Sequence, residues 1–218
     1  MCGTRPDTMR HSFVVIEGNI GSGKTSLSSA LAREYDAKLI LEEFADNPFL
    51  PRFYEDPDRY GFQVELAFLA ERYGQFKQTD ATPDLFKSMT IADYHFYKSL
   101  IFARTNLDSE EFRLYSNLFN IIYSSLPKPD LVVYLYLSIN NLQRNIQKRG
   151  RPYEQEITNE YLQSIQDSYF EFFKRQTNMS ILVVDTNNID FVNNPSDYEQ
   201  IKQLIDRDYP VGINRILL

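Results

Sequence analysis

The chain has little cysteine: Cys2 alone, in a polar N-terminal stretch. No internal disulfide can form, and a reducing compartment, the cytoplasm, is the expectation. It also lacks any apolar run approaching the roughly 18 residues of a membrane span, or a signal-like stretch near its start, so neither membrane insertion nor targeting is expected. Excess positive charge is missing as well. Lys and Arg number 23 against 30 Asp and Glu, a formal net charge of −7. Nucleic-acid backbones and anionic membranes are held chiefly by Lys and Arg, so neither is expected as a partner, although a small anion can still be bound locally. Repeats, low-complexity tracts and Pro/Gly-rich linkers are absent too. The 218 residues therefore read as a flexible tail over 1–11 and a single domain over 12–218.

What is present is an alternation of short apolar runs and helical periodicity. Strands are predicted at Phe13–Glu17, Lys38–Leu41, Lys87–Ala92, Asp130–Leu137 and Ser180–Val184. Helices are predicted at Thr25–Glu34, Tyr60–Phe76, Tyr94–Ala103, Glu110–Ser125, Asn141–Lys148, Asn159–Thr177 and Ser196–Arg207, with Phe62, Leu66, Leu69 and Tyr73 forming one apolar face of the second. Asn47–Asp58 reads as irregular. The pattern implies an α/β three-layer sandwich: a five-stranded parallel sheet with helices on both faces.

Gly18-Asn19-Ile20-Gly21-Ser22-Gly23-Lys24-Thr25 fits the spacing G-x-x-x-x-G-K-[ST] and lies between a predicted strand and a predicted helix, the context this phosphate-binding loop requires. Converging backbone N–H groups and the helix N-terminus favour phosphate oxygens. Lys24 is placed to reach the β- and γ-phosphates, and the Thr25 hydroxyl to ligate magnesium. ATP with Mg2+ is the implied donor. Further on, Lys148-Arg149-Gly150-Arg151 concentrates cations around a glycine after the clearest strand and its helix. It reads either as a lid closing over transferring phosphates or as a solvated helix end whose cations complement the dipole.

The order of these parts resembles the deoxynucleoside kinase family: the loop, Glu42-Glu43, Tyr54 to Tyr60, an aromatic helix, Pro129 to Leu135, then Lys-Arg-Gly-Arg with Tyr153-Glu154. Asn47-Pro-Phe-Leu50 and Asp93-Tyr94 are similar to segments of its bacterial deoxyadenosine and deoxyguanosine kinases. The likeness runs from Phe13 to about Phe191. It implies phosphorylation of a deoxynucleoside 5′-hydroxyl, with a purine favoured, in nucleotide salvage. It further implies a P-loop kinase fold with an Arg-rich lid, Arg149 and Arg151 as lid cations on the donor, and a homodimer, for which the helix Phe112 to Tyr123 is the candidate surface. A glutamate just after the second strand then serves as general base; Glu43 takes that position, with Glu42 as the alternative. Tyr54 and Glu154 match a pair that grips the sugar 3′-hydroxyl, and Asn188 to Phe191, including Asp190, the loop receiving the donor adenine.

The sequence departs from that pattern at the end of the third strand. An acid-Arg-Ser triplet is expected there, and Ile91-Ala92-Asp93-Tyr94-His95 stands instead. Asp93 can supply the acidic role near magnesium or cap the next helix. Lys98, Arg104 or the lid can supply the missing cation, and His95 reads as structural. On an ungapped match, Glu65 falls where many relatives carry a base-reading glutamine and Arg72 where they carry an arginine, while Lys98 replaces an acid. Gln63 is the competitor if the helix is shifted. An ionised Glu65 accepts hydrogen bonds without donating, which favours a base edge presenting N–H groups. Two further functions remain at this point: a thymidylate-like monophosphate kinase, and a nucleotide-binding regulatory protein without turnover.

Overall fold

The computed structural model describes residues 9–42, 47–81, 87–124 and 126–218. Its elements run β1 (Phe13–Gly18), α1 (Lys24–Glu34), β2 (Lys38–Ile40), α2 (Leu50–Glu55), α3 (Pro57–Ala81), β3 (Thr90–Ala92), α4 (Lys98–Asn106), α5 (Ser109–Tyr123), β4 (Leu131–Tyr136), α6 (Ile139–Arg149), α7 (Asn159–Lys174), β5 (Ser180–Asp185), α8 (Pro195–Ile205) and β6 (Gly212–Leu217), with a 3-10 turn over Pro152–Glu154. All neighbouring strands are parallel, in the order β2-β3-β1-β4-β5-β6.

The expected sheet thus gains a sixth strand. Gly212–Leu217 pairs with β5 along one side only and is half exposed, so its sequence mixes Asn214 and Arg215 with Ile213 and Ile216 and gives no continuous apolar signal. The second departure is α2, inside the stretch Asn47–Asp58 that reads as irregular. Pro51 instead sits in the first turn of that helix, where its missing N–H is no loss, and Leu50 and Phe53 are buried beneath it.

Side-chain alternation along the strands divides the core. Val15, Val132, Tyr134, Ile181 and Val183 face an aromatic layer that includes Tyr94, Phe96, Tyr115, Phe119, Tyr169 and Phe173. Val14, Ile16, Leu131, Val133, Leu135, Leu182 and Val184 face an aliphatic layer built with Leu27, Leu31, Ile201 and Ile205 of α1 and α8. The central strands are covered on both sides, which explains their unbroken apolar runs. Residues 9–11, expected as part of a loose tail, are tied down: Arg10 N donates to Asp206 at 2.9 Å, and His11 Nε2 lies 3.0 Å from the Arg207 carbonyl. Residues 1–8 lie outside the described residues. No helix among the described residues is long and apolar enough to cross a membrane.

Two helices correct the expected faces. In α3, Leu66 is 38% exposed, and the inward row is Val64, Glu65, Leu69, Arg72 and Phe76, which brings two charged side chains into the molecule. In α5, Tyr115 and Phe119 are fully buried, so its aromatic residues belong to the core. Its outer face carries Leu114 and Ile121. Helix α5 begins with a capping box, Asp108 accepting from Glu110 N and Glu111 N at 2.8 and 2.9 Å.

Close approach of α3 to the end of α4 depends on Gly61: a Cβ there would meet the Asn106 carbonyl oxygen at 2.8 Å. Alanine gains up to about 1 kcal/mol of helix propensity at this position, but overpacking against backbone costs typically about 1–3 kcal/mol. Gly61→Ala is therefore expected to lower the urea midpoint, a direction opposite to that of an ordinary helical Gly-to-Ala change.

Candidate functional site

Parallel sheets collect ligands at the carboxyl ends of their strands. Here β1 runs into Gly18–Thr25, β2 into Glu42, β3 into Asp93 and β5 into the loop Thr186–Phe191, so the chemistry-bearing residues meet along one edge. Gly23 carries a φ of 90°, and a Cβ on it would lie 2.7 Å from the Phe191 ring, which leaves glycine as the residue that fits between loop and ring. Lys24 Nζ donates to the Asn19 carbonyl at 2.9 Å. Burial, then the nearby Lys98, pull the Lys24 ammonium down to about 8, a cation prepared to gain from an arriving phosphate.

Two cavities open on this loop. The first is lined by Gly21 to Ser26, Arg144, Lys148, Asn187, Asp190 and Phe191, among others. The second is lined by Glu42, Tyr54, Glu65, Arg72, Asp93, Lys98 and Glu154 together with the apolar walls Val64, Phe68, Phe102 and Tyr161. Lys24, Thr25, Arg149 and Arg151 line both. A group passing from one cavity to the other therefore passes between the loop lysine and the lid arginines.

In the second cavity Glu42 stands between two cations. Its Oε1 accepts from Arg72 Nε at 3.0 Å and Nη2 at 2.6 Å, and its Oε2 from Lys98 Nζ. The side chains of Glu42, Arg72 and Lys98 are 8%, 4% and 9% exposed. Burial alone would raise the carboxyl, but Lys98 and Arg72 together hold it down to about 2. Glu43, the residue expected to act as base, lies outside the described residues; its alternative, Glu42, is one of the carboxylates that line the cavity. Lys98, at the start of the helix that follows the strand where the arginine is missing, is a cation beside it. Arg104 points elsewhere, its guanidinium 5.0 Å above the Phe112 ring.

Asp93 does not cap α4, whose N-cap is Tyr97 with no side-chain cap bond. Its Oδ1 accepts from Glu42 N and its Oδ2 from the Thr25 hydroxyl, both at 2.7 Å. Among the described residues no three His, Cys, Asp or Glu side chains gather as a self-sufficient metal cage. A hydroxyl beside one carboxylate nevertheless fits magnesium, which keeps waters and takes phosphate oxygens to complete its shell. His95 is buried and pushed down to about 3 by that burial, so it is neutral.

The lid is folded inward. Glu154, 5% exposed, accepts from Arg149 Nε and Nη2 at 2.9 and 2.5 Å and from Arg151 Nη1 at 3.2 Å. Tyr54 lies beside it, stacked 6.3 Å from Tyr153. Asp190 serves its own loop, accepting from Val192 N and Asn193 N, while Phe191 reaches the phosphate loop. Of the two candidate base readers, Glu65 faces the cavity and Gln63 faces solvent.

The deoxynucleoside kinase family model matches residues 14–209. The chain belongs to the deoxynucleoside kinase family. A deoxyguanosine kinase of Bacillus subtilis (strain 168) is 37% identical over 196 residues, covering 87% of this chain and 93% of its own. A deoxyguanosine kinase of Lactobacillus acidophilus is 31% identical over 216 residues, covering 92% of each. A solved deoxyadenosine kinase from M. mycoides with bound dATP superposes with a TM-score of 0.76 at 25% identity, covering 89% of this chain and 99% of its own. Family membership brings ATP as the phosphoryl donor, as the loop had implied.

Sequence reasoning missed several residues of this family member's cavities. Arg144 shares one face of α6 with Lys148 of the cation cluster, and both line the first cavity; the i, i+4 spacing of the two was the available signal. Asn106 and Tyr161 carry no motif, and only the packing of α4 against α3 and of α7 against α4 brings them in.

Exchanging Glu42 for glutamine leaves Arg72 and Lys98 buried without their shared anion, a change worth about 3–5 kcal/mol when one partner of a buried pair is removed. Guanidinium denaturation of Glu42→Gln at pH 7 should show a loss of that order. Because the folded-state pKa lies below the ordinary 4.5, the carboxylate stabilises fully above that value and its contribution disappears as pH falls from about 4.5 toward 2. The variant should lose this part of the acid dependence.

Proposed function

We propose that this protein transfers the γ-phosphoryl group of ATP to the 5′-hydroxyl of a purine deoxynucleoside, in salvage of that nucleoside. The observation that carries the reading is the pair of cavities with a common wall of Lys24, Thr25, Arg149 and Arg151, one opening on a phosphate loop and the other on a carboxylate. In this reading Glu42 accepts a hydrogen bond from the 5′-hydroxyl and holds its oxygen toward the γ-phosphate. The oxygen forms a bond to phosphorus, the bond to the β-phosphate oxygen breaks, ADP leaves and the hydroxyl proton passes to Glu42. A carboxylate held at about 2 is a weak base. That suits a transition state with little bond formation to the nucleophile, in which orientation matters more than early proton removal.

Lys24, Arg149 and Arg151 neutralise charge spreading over the transferring oxygens. Thr25 and Asp93 would hold Mg2+, which neutralises phosphate charge when bound. Tyr54 and Glu154 grip the sugar, so that occupancy of the acceptor site and position of the lid are linked. A neutral nucleoside suits the acceptor cavity better than a monophosphate, because Arg72 and Lys98 already serve Glu42. Family likeness supports a cytoplasmic homodimer, with the outer face of α5 around Leu114 and Ile121, 53% and 74% exposed, as its contact; sedimentation as a monomer at micromolar concentration counts against that assembly.

Coupled ADP release with ATP, magnesium and each deoxynucleoside tests the reaction. Turnover is expected with purine deoxynucleosides and not with nucleoside monophosphates. Glu42→Gln should lower kcat by about 10²–10⁴ while ATP binding persists, and Glu43→Gln should change kcat only a few-fold. Collapse in Glu43→Gln with survival of Glu42→Gln would reverse the assignment of the base.

A further inference from the structure

One buried carboxylate belongs to neither cavity. Glu17, 1% exposed, is next to last in β1 and lines neither space. Strand alternation sends its side chain to the same face as Val15, and its register partner Tyr134 also lies in that aromatic layer. An acid at such a position is costly. Three donors converge on it: His95 N reaches Oε1 at 2.6 Å, while the Tyr169 hydroxyl and Gly18 N reach Oε2 at 2.8 and 3.2 Å. Backbone N–H groups cannot accept, so the arrangement satisfies an ionised carboxylate. Glu17 takes part in none of the ion pairs formed among the described residues.

Its charge nevertheless reaches the phosphate loop. Burial pushes the Glu17 carboxyl up, and Lys98 and then Lys24 act against that push. In return, Glu17 comes first among the anions that support the Lys24 ammonium, ahead of Glu42 and Asp93. Those other anions are engaged elsewhere. Glu42 is shared by Arg72 and Lys98, which leaves one positive charge over, and Asp93 accepts from the Thr25 hydroxyl and from Glu42 N. Glu17 is therefore an anion outside both cavities that offsets the charge of lysines lining them.

We propose that Glu17 is a positioning residue acting through Lys24 and Lys98: a fixed anion beneath the phosphate loop that limits the grip on phosphate groups and so lets ADP leave. This rests on the phosphate-loop assignment in the reading above. An arriving phosphate draws on the two ammonium groups from the cavity, and Glu17 draws on them from the interior. One elementary charge across such a site changes anion affinity by about tenfold or more at the effective dielectric of a protein. The hydrogen bonds keep that charge in place. They tie Gly18, where the loop begins, to His95, which lies between Asp93 and Lys98 in the chain, and to Tyr169 of α7. A purely structural support predicts the opposite sign, because without it the loop loosens and phosphate binding weakens.

Calorimetric titration of the full chain with ADP and with inorganic tripolyphosphate at pH 7 reads the grip, and steady-state turnover with ATP reads the reaction. Glu17→Gln keeps the shape: its amide oxygen can accept from His95 N, and the Tyr169 hydroxyl can turn to accept from the amide. This variant is expected to bind both ligands about tenfold more tightly, with the KM for ATP falling and kcat not rising, because ADP leaves more slowly. Tighter binding also shows that the variant is folded. Glu17→Asp keeps the charge but stands one methylene short of its donors, so it should lower the urea midpoint while holding ADP affinity within a few-fold. Adding Glu17→Gln to Lys98→Met, where the surplus cation is already gone, should tighten binding relative to Lys98→Met alone, and that pair decides by the same criterion if the single variant does not fold. Unchanged or weaker binding in folded Glu17→Gln, tightening in Glu17→Asp as well, or no ADP binding by the unaltered protein overturns the inference. Tightening without nucleoside-dependent turnover upholds it and refutes the kinase reaction; turnover without tightening does the reverse.

Discussion

Glu42, Arg72 and Lys98 form a triad of charges in which one anion is shared by two cations, all three side chains under a tenth exposed. A cluster of this kind is tolerated in a protein interior only when each charge has a partner, and its sum is one surplus positive charge. That surplus lies against the cavity that Lys24 and Thr25 also line. The same triad ties the end of β2 to α3 and to α4, so the acceptor wall is rigid because its charges require one another. Asp93, bonded to the Glu42 backbone and to Thr25, extends this arrangement to the phosphate loop.

Much of the fold was legible because it is local. The loop Gly18–Thr25 carries its own spacing, and β4 and β5 are covered on both faces, so they read as continuous apolar runs. The edge strand β6 was not legible, since its one-sided pairing leaves it half polar, nor was α2, whose Pro51 reads as a breaker unless it is known to occupy a first turn. Lys24, Thr25, Arg149 and Arg151, which line both cavities, stand out in the sequence by motif and composition. Choosing between Glu42 and Glu43 was beyond spacing, because adjacent carboxylates differ in what faces them and not in any pattern. The cations around Glu42 come from α3 and α4, distant in sequence.

The departure at the third strand has the same explanation. Loss of an arginine after β3 looks like loss of catalytic charge when each residue is read alone. In three dimensions Lys98, the first residue of α4, reaches the Glu42 carboxylate. The charge beside Glu42 comes from a helix that no motif in the sequence marks.

Asn145 of α6 donates to the Gly21 carbonyl, and Asn19 donates to the Leu162 carbonyl of α7. These helices flank the lid on either side, so the phosphate loop and the lid close into one ring of chain with two short amide ties. A hinged flap can swing without disturbing its frame; a ring cannot. Any displacement of Arg149 and Arg151 that moves the ends of α6 and α7 would be carried through these two ties to the loop Gly18–Thr25.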